Sequence, residues 1–213
     1  MALAIKPDFY PALSDKGASL NNLGLYEEAI EVAEKVIQVS PGYSHAWCVK
    51  SFGHRRLGNY QESIASFDKA VELEPTRWEY WYHRGLILTA AKHHTEAVVS
   101  YDKALNLNSE NSDIWVMKGL ALVSLGRHNE AINSYDRALS LSPSDYLIWF
   151  NRAAVLGKLR RLRDASASLS KAFELNPEGT IDLYFDGLMT RFPRLTRISH
   201  QRVLREVSSS DQS

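Results

Sequence analysis

Apolar and small residues recur along the chain at helical spacing, and this pattern itself repeats. Within residues 78–111, Trp81, Gly85 and Leu88 follow one another at i, i+4 and i+7, which places them on one face of a helix. A second set with comparable spacing follows in the same stretch: Ala97, Tyr101 and Ala104. The pattern predicts a helical hairpin in which small residues let the two helices approach closely.

The hairpin pattern returns every 34 residues. Four tryptophans share this interval: Trp47, Trp81, Trp115 and Trp149. Prolines share it too, with one serine on the missing rung: Pro7, Pro41, Pro75, Ser109, Pro143 and Pro177. A series of small residues keeps the same register: Ala29, Ser63, Ala97, Ala131 and Ala165. A period of about 20 to 50 residues is typical of repeat arrays, whose units bury their apolar faces against their neighbours.

The recurring Trp, Gly, Ala, Tyr or Phe, Ala and Pro positions resemble the signature of the tetratricopeptide repeat (TPR). The match is best in 44–77 and 112–145; it is looser in the first unit, where Leu13 replaces Trp, and in the fifth, where Arg160 replaces a connector Gly. We expect five full repeats: 10–43, 44–77, 78–111, 112–145 and 146–179. The resemblance implies an all-α fold, a right-handed superhelical solenoid of antiparallel helix hairpins.

The two ends depart from the regular pattern. Residues 1–9 match the C-terminal end of a preceding repeat's second helix, which favours a chain cut from a longer array over a half-repeat cap. Leu183 and Gly187 fall where a sixth repeat would carry Trp and Gly, and Pro193 then interrupts the helix. We expect 180–207 to form a degenerate sixth repeat or capping helices, followed by a disordered tail at 208–213.

Composition narrows the class of protein. The chain carries 25 basic and 25 acidic residues, so no global field draws it to nucleic acid or to an anionic membrane. Cys48 is the single cysteine, which suits a reducing compartment. No apolar run reaches the roughly 18 residues of a membrane span. We expect a cytoplasmic protein.

Charged residues also repeat in register. Each first helix carries a cation, in the series Lys16, Lys50, Arg84, Lys118 and Arg152. The second helices carry an anion, in the series Glu34, Asp68, Asp102 and Asp136, which ends at Ser170. A binding strip would explain the cations alone, whereas opposite signs at one period favour ion pairs that join helix to helix.

In the TPR family the first helices line the concave side, through the position after the Trp and the position four residues later. Carried onto this chain, these positions are Cys48, Phe52, Tyr82, Leu86, Val116, Leu120, Phe150 and Ala154. Arg55, Arg56 and Lys158 lie further along the same helices and could orient an acidic part of a ligand; the alternative is that they are solvated charge at the helix ends. The resemblance implies a protein–protein interaction scaffold that binds a peptide or an amphipathic helix in an apolar groove. The alternative is that this stripe is core, covered by superhelix winding or by the C-terminal helix.

The partner is a protein or peptide that the sequence does not identify. Chaperone-binding TPR domains clamp a C-terminal carboxylate with Lys, Asn and Arg, but here Glu79 and Asp113 stand where a Lys is needed and would repel it. We therefore expect no chaperone-tail ligand. An apolar N-terminal stretch allows weak end-to-end association of an otherwise monomeric chain.

Candidate chemistry is sparse. His45, Cys48 and His83 are possible zinc ligands, but the spacing matches no established zinc motif, and we expect no metal and no cofactor. No Gly-rich phosphate loop or nucleophile motif is present, so we expect no enzyme. The alternative function is binding of nucleic acid or an acidic partner through an Arg-rich C-terminal third. Its arginines are Arg160, Arg161, Arg163, Arg191, Arg194, Arg197, Arg202 and Arg205.

Overall fold

A computed structural model describes the backbone of residues 9–191 and the side chains of residues 10–184. All the regular secondary structure in this part of the chain is α-helical. The helices are α1 (Phe9–Asn22), α2 (Tyr26–Val39), α3 (Ser44–Arg56), α4 (Tyr60–Leu73), α5 (Trp78–Ala90), α6 (His94–Leu107), α7 (Ser112–Ser124), α8 (His128–Leu141), α9 (Tyr146–Lys158), α10 (Leu162–Leu175) and α11 (Pro177–Arg191). The predicted all-α class is confirmed for these residues. None of these helices is both long enough and apolar enough to cross a membrane.

The helices divide into two compact units, Met1–Gly126 and Arg127–Ser213. In the first unit α1 packs on α2, α3 on α4 and α5 on α6. Each even-numbered helix also packs on the next odd-numbered helix, as in α2 with α3. In the second unit α9 packs against both α8 and α10, and α10 against α11.

The tryptophan and proline series meet in the connectors between hairpins. Each Trp indole Nε1 donates a hydrogen bond to the backbone carbonyl of the residue six positions earlier, at 2.8 to 2.9 Å. The acceptors are Pro41, Pro75, Ser109 and Pro143. Because only the carbonyl oxygen is used, Ser109 serves as well as a proline. The two sequence series therefore describe one recurring contact.

Small residues lie where helices approach most closely. Ala97 and Ala131 are fully buried. At Gly85 a Cβ atom would come within 2.5 Å of the Tyr101 ring, which packs directly over the α5 backbone. Tyr101 is itself fully buried, so it has no room to move away. The interval of small and aromatic residues thus reflects packing between the two helices of a hairpin.

The turns within hairpins need left-handed backbone. Gly24, Gly58 and Gly126 adopt φ values of 82°, 82° and 73°. Lys92 and Arg160 occupy the same rung with φ of 64° and 58°. Because side chains with a Cβ atom are strained in this region, these two turns keep the geometry at a cost in stability.

The last joint differs from the others. Residues 142–145 separate α8 from α9, whereas only Asn176 separates α10 from α11. Pro177 opens α11, and the Asn176 Oδ1 accepts a hydrogen bond from the Gly179 amide at 2.9 Å, as a helix N-cap does. The helix therefore begins before the repeat boundary predicted at 179. The expectations for 1–8 and for 192–213, including Pro193, the last helix and the tail, lie outside the described residues.

Candidate protein-interaction site

The charged series forms ion pairs between successive hairpins. Lys50 contacts Glu34 at 2.8 Å, and three further pairs have nitrogen–oxygen distances of 2.6 Å: Arg84–Asp68, Lys118–Asp102 and Arg152–Asp136. The cations are only 18 to 22% exposed. The ion-pair interpretation is confirmed for these four cations, which are therefore not free to form a binding strip, whereas Lys16, the first cation of the series, is exposed.

Two of the arginines bind a third helix as well. Arg84 donates from Nη1 to the Ser100 Oγ at 2.7 Å, and Arg152 does the same to Ser168 at 2.6 Å. Each arginine thus joins the second helix before it to the second helix after it. Sequence reasoning missed these buried serines, although they share the 34-residue interval: Ser66, Ser100, Ser134 and Ser168.

A cavity of about 620 Å³ opens on the first helices of the first unit. It is bordered by α1, α3 and α5, and α2 and α4 each contribute one side chain. Three of the predicted groove residues line it: Cys48, Phe52 and Arg56. A concave site lined by both apolar and polar side chains therefore lies on the predicted groove face of this unit.

Aromatic rings form one wall of this cavity. Phe52 meets the Phe67 ring edge-on at 5.4 Å between centroids and the His83 ring at 5.1 Å. Phe67 stacks on His83 at 6.1 Å. Burial, followed by the nearby Arg55 charge, lowers the pKa of His83, so the imidazole is held in its neutral form. We call these three side chains the ring cluster.

The possible zinc ligands do not converge. The Cys48 side chain is buried, and burial raises the pKa of its thiol to about 12, so the thiol stays protonated and weakly nucleophilic. His45 instead shares a hydrogen bond of 2.8 Å with Ser14, which is itself fully buried. Among the residues that the structure describes, no group of three metal-ligating side chains is found.

A polar network closes the edge of the cavity at the start of α5. Ser44 donates to the Glu74 carboxylate and lies 3.1 Å from the Tyr80 hydroxyl. Arg77 donates to Glu74 at 3.2 Å and to Tyr80 at 2.9 Å. These groups satisfy one another, so they form a fixed rim.

The opposite edge was missed by sequence reasoning. The Asn21 amide donates to the Val49 carbonyl at 2.9 Å, and the Tyr26 hydroxyl accepts from Arg56 Nε at 3.0 Å. Asn21 lies 34 residues before Arg55, which was a predicted groove residue. The 34-residue interval could therefore have identified Asn21 as a groove position. Phe67 and Tyr80 were also missed as cavity residues, because their positions in the 34-residue repeat are typical of the hydrophobic core.

The other predicted groove residues do not line this cavity. Tyr82, Leu86, Val116 and Leu120 are half-buried on α5 and α7, and the Tyr82 ring lies 6.3 Å from that of Tyr101. Phe150 lies in the second unit, where it lines another cavity of about 620 Å³. That cavity is walled by small residues of α9 and α10 and by side chains of α11: Ala153, Ala154, Gly157, Ala165, Ser166, Leu183 and Tyr184.

The Arg-rich segment is only partly described. Arg161 forms an ion pair with Asp164 at 2.7 Å, and Arg160 occupies the left-handed turn. Arg163 is exposed. The side chains of the remaining arginines, from Arg191 onward, lie outside the described residues.

Sequence models of one family match successive parts of the chain. A model described as "TPR repeat" matches residues 119–159, and one described as "Tetratricopeptide repeat" matches 53–113. A further tetratricopeptide-repeat model matches 10–43 and 146–178. No curated protein matches the chain.

Solved structures show the same fold. A crystal structure of MamA aligns with a TM-score of 0.72 and 22% identity, covering 76% of this chain and 95% of MamA. MamA from Desulfovibrio magneticus RS-1 gives a TM-score of 0.74 at 17% identity, with 81% and 98% covered. YrrB, "a TPR protein with an unusual peptide-binding site", gives 0.71 at 17% identity, with 82% and 90% covered. Together with the family models, these structures confirm the predicted TPR fold.

Proposed function

The chain belongs to the tetratricopeptide-repeat family, and from this premise we propose that it is a protein-interaction scaffold. Its ligand is a peptide or an amphipathic helix that lies along the first helices. The role is binding rather than catalysis, and the single reduced cysteine fits a cytoplasmic location. YrrB, which has the same fold, carries a peptide-binding site by its own description.

The cavity between α1, α3 and α5 is the observation that carries this proposal. Its volume of about 620 Å³ falls within the roughly 300–1,000 Å³ typical of ligand pockets. The half-buried Phe52 ring provides apolar surface, backed by the fully buried Phe67 ring, and the polar rim provides direction. Aromatic side chains in a concave site are the common anchors of protein interfaces.

Rigidity of the surrounding helices supports the same function. The Trp47 and Trp81 indoles fix the connectors before α3 and α5, and the Arg84–Asp68 pair joins α4 to α5. Because the receptor side is already ordered, little conformational entropy is lost there when a peptide binds.

The proposal is tested with a variant that carries Phe52→Glu, Leu86→Glu and Leu120→Glu. We expect the wild-type chain to capture a partner from a native extract and the variant to lose it, because carboxylates on the apolar face cannot be desolvated. A matched control carries Val99→Glu and Leu107→Glu, at α6 positions that are 53% and 44% exposed. Circular dichroism and the melting temperature establish that both variants are folded.

The captured partner is then reduced to its binding peptide, and its affinity is measured by fluorescence anisotropy. Loss of binding in the groove variant together with retention in the control places the site on the first helices. Equal capture by the wild-type chain and a folded groove variant contradicts the proposal and moves the site to the second helices or to the Arg-rich C-terminal third.

A further inference from the structure

Two half-buried charges near the ring cluster, Arg55 and Glu79, form no ion pair or hydrogen bond with another residue of 10–184, although the Glu79 charge also acts on Arg77. Within residues 10–184, every half-buried Lys or Arg except Arg55 forms an ion pair. Every half-buried Asp or Glu in the same range except Glu79 forms an ion pair or accepts a hydrogen bond. Partial burial without a partner is unfavourable for a charged group.

Arg55 and Glu79 both lie at the ring cluster. Glu79 lines the cavity, and Arg55 follows Phe52 by three residues on α3, which places the two side chains next to each other on the helix. Both charges act on the His83 imidazole, with Arg55 lowering its pKa and Glu79 raising it. The ring cluster is therefore within electrostatic reach of a cation and an anion.

Arg55 on α3 and Glu79 on α5 lie at different positions along the axes of the first helices. In the 34-residue register Glu79 corresponds to His45, which precedes Arg55 by ten residues of α3. Ten helical residues correspond to an offset of about 15 Å. An extended peptide covers a similar distance in about four residues, and its side chains at i, i+2 and i+4 share one face.

We propose that this cavity binds an extended peptide in which a large apolar side chain is flanked, two residues away on either side, by a carboxylate and by a Lys or Arg. The apolar side chain enters against the ring cluster, the carboxylate pairs with Arg55, and the cation pairs with Glu79. This inference rests on the proposed function and specifies its ligand. Arg55 and Glu79 then each gain an ion-pair partner.

The test uses a phage-displayed library of random dodecapeptides selected against the full chain. We expect selected peptides to share an acidic–x–apolar–x–basic pattern in one chain direction. A synthetic peptide of that sequence is then titrated against the wild-type chain, Arg55→Glu and Glu79→Lys. Since neither side chain holds another in place, both variants should fold, and their melting temperatures verify this.

We expect each variant to weaken binding about tenfold or more, because each leaves a like-charge contact at the site. A peptide with its two charges exchanged should bind best to the double variant Arg55→Glu/Glu79→Lys. Lys103→Glu is the matched control, since Lys103 is an exposed cation on α6, and it should leave affinity unchanged.

Two outcomes are distinguishable. If binding of the peptides requires Phe52 but is equally tight to Arg55→Glu, Glu79→Lys and the wild-type chain, this inference is overturned and the proposed function stands. The same holds if the charged and apolar positions of the selected peptides follow helical spacing. Selection of no peptide that depends on Phe52 overturns the proposed function and this inference together.

Discussion

Two joints of the second unit carry the same proline and yet differ in shape. Between α8 and α9, residues 142–145 form a connector in which the Trp149 indole donates to the Pro143 carbonyl at 2.9 Å. Across the same joint Arg152 pairs with Asp136 at 2.6 Å. An indole donor and an ion pair thus hold an open connector between two helices.

Between α10 and α11 both contacts are missing from the sequence. Leu183 stands at the Trp position and has no polar hydrogen to donate, and Ser170 stands at the position of the Asp. Pro177 keeps its place but becomes the first residue of α11, directly after Asn176. The proline is therefore compatible with either shape, and the indole hydrogen bond is the feature that accompanies an open connector.

The largest effect on this comparison is expected from Trp149→Leu, which gives the α8–α9 joint the residue of the last joint. Loss of the indole hydrogen bond and of apolar contact should lower the free energy of unfolding by about 2 kcal/mol. Guanidinium chloride titration measures this. Trp149→Phe keeps a ring but loses the donor and should show about half of the loss. If Trp149→Phe is as stable as wild type, the connector is stabilised by packing of the ring alone and not by the indole hydrogen bond.

A smaller effect is expected from Asp136→Ser, which copies Ser170 into the preceding joint. Arg152 is 20% exposed and Asp136 is 48% exposed, so solvent screens the pair. Its removal should lower stability by about 1 kcal/mol or less. Partner binding at the first cavity should not change.

Asp102→Ala at the α6–α7 joint, which removes the ion pair with Lys118, is the parallel test. A variant that melts like wild type but no longer captures the partner would make the charged series a binding feature instead.

The smallest effect concerns the turn between α9 and α10, within the fifth hairpin. Arg160 has φ of 58°, a conformation that glycine adopts without strain. Arg160→Gly should raise the free energy of unfolding by about 0.5–1 kcal/mol, seen as a higher melting temperature. Gly58→Ala is the opposing control, because its φ is 82° and no atom lies within 4 Å of the added Cβ. A loss of stability in Arg160→Gly would mean that the Arg160 side chain contributes more than its backbone strain costs.

Much of the repeat chemistry could be predicted because it depends on local spacing. Intervals of 34 residues identified the hairpins, and opposite charges in register identified pairs such as Arg84–Asp68. Left-handed backbone at Lys92 and Arg160 did not follow from residue type and was decided by the structure. The start of α11 at Pro177 was not predicted, because the fifth repeat was expected to extend to residue 179.

The candidate site was predicted only in part. Cys48 and Phe52 were placed on the first helices and do line the cavity, but the cavity also takes Phe67 from α4 and Tyr26 from α2. Those side chains reach the site because helices remote in sequence pack at short distances, which an interval along one helix does not describe. Arg55 was noted as a groove residue, while its lack of a partner emerged only once every neighbour had a position.

The sequence alone determined the period, the helical hairpins, the family and the ion pairs, since each follows from residue type at a fixed spacing. The tertiary structure decided which predicted groove residues line a cavity, and that Cys48, His45 and His83 do not come together as a set of metal ligands. It also decided which half-buried charges form no ion pair. These properties depend on distances between side chains from different helices. Spacing sets the face on which a side chain lies, whereas packing sets what it meets there.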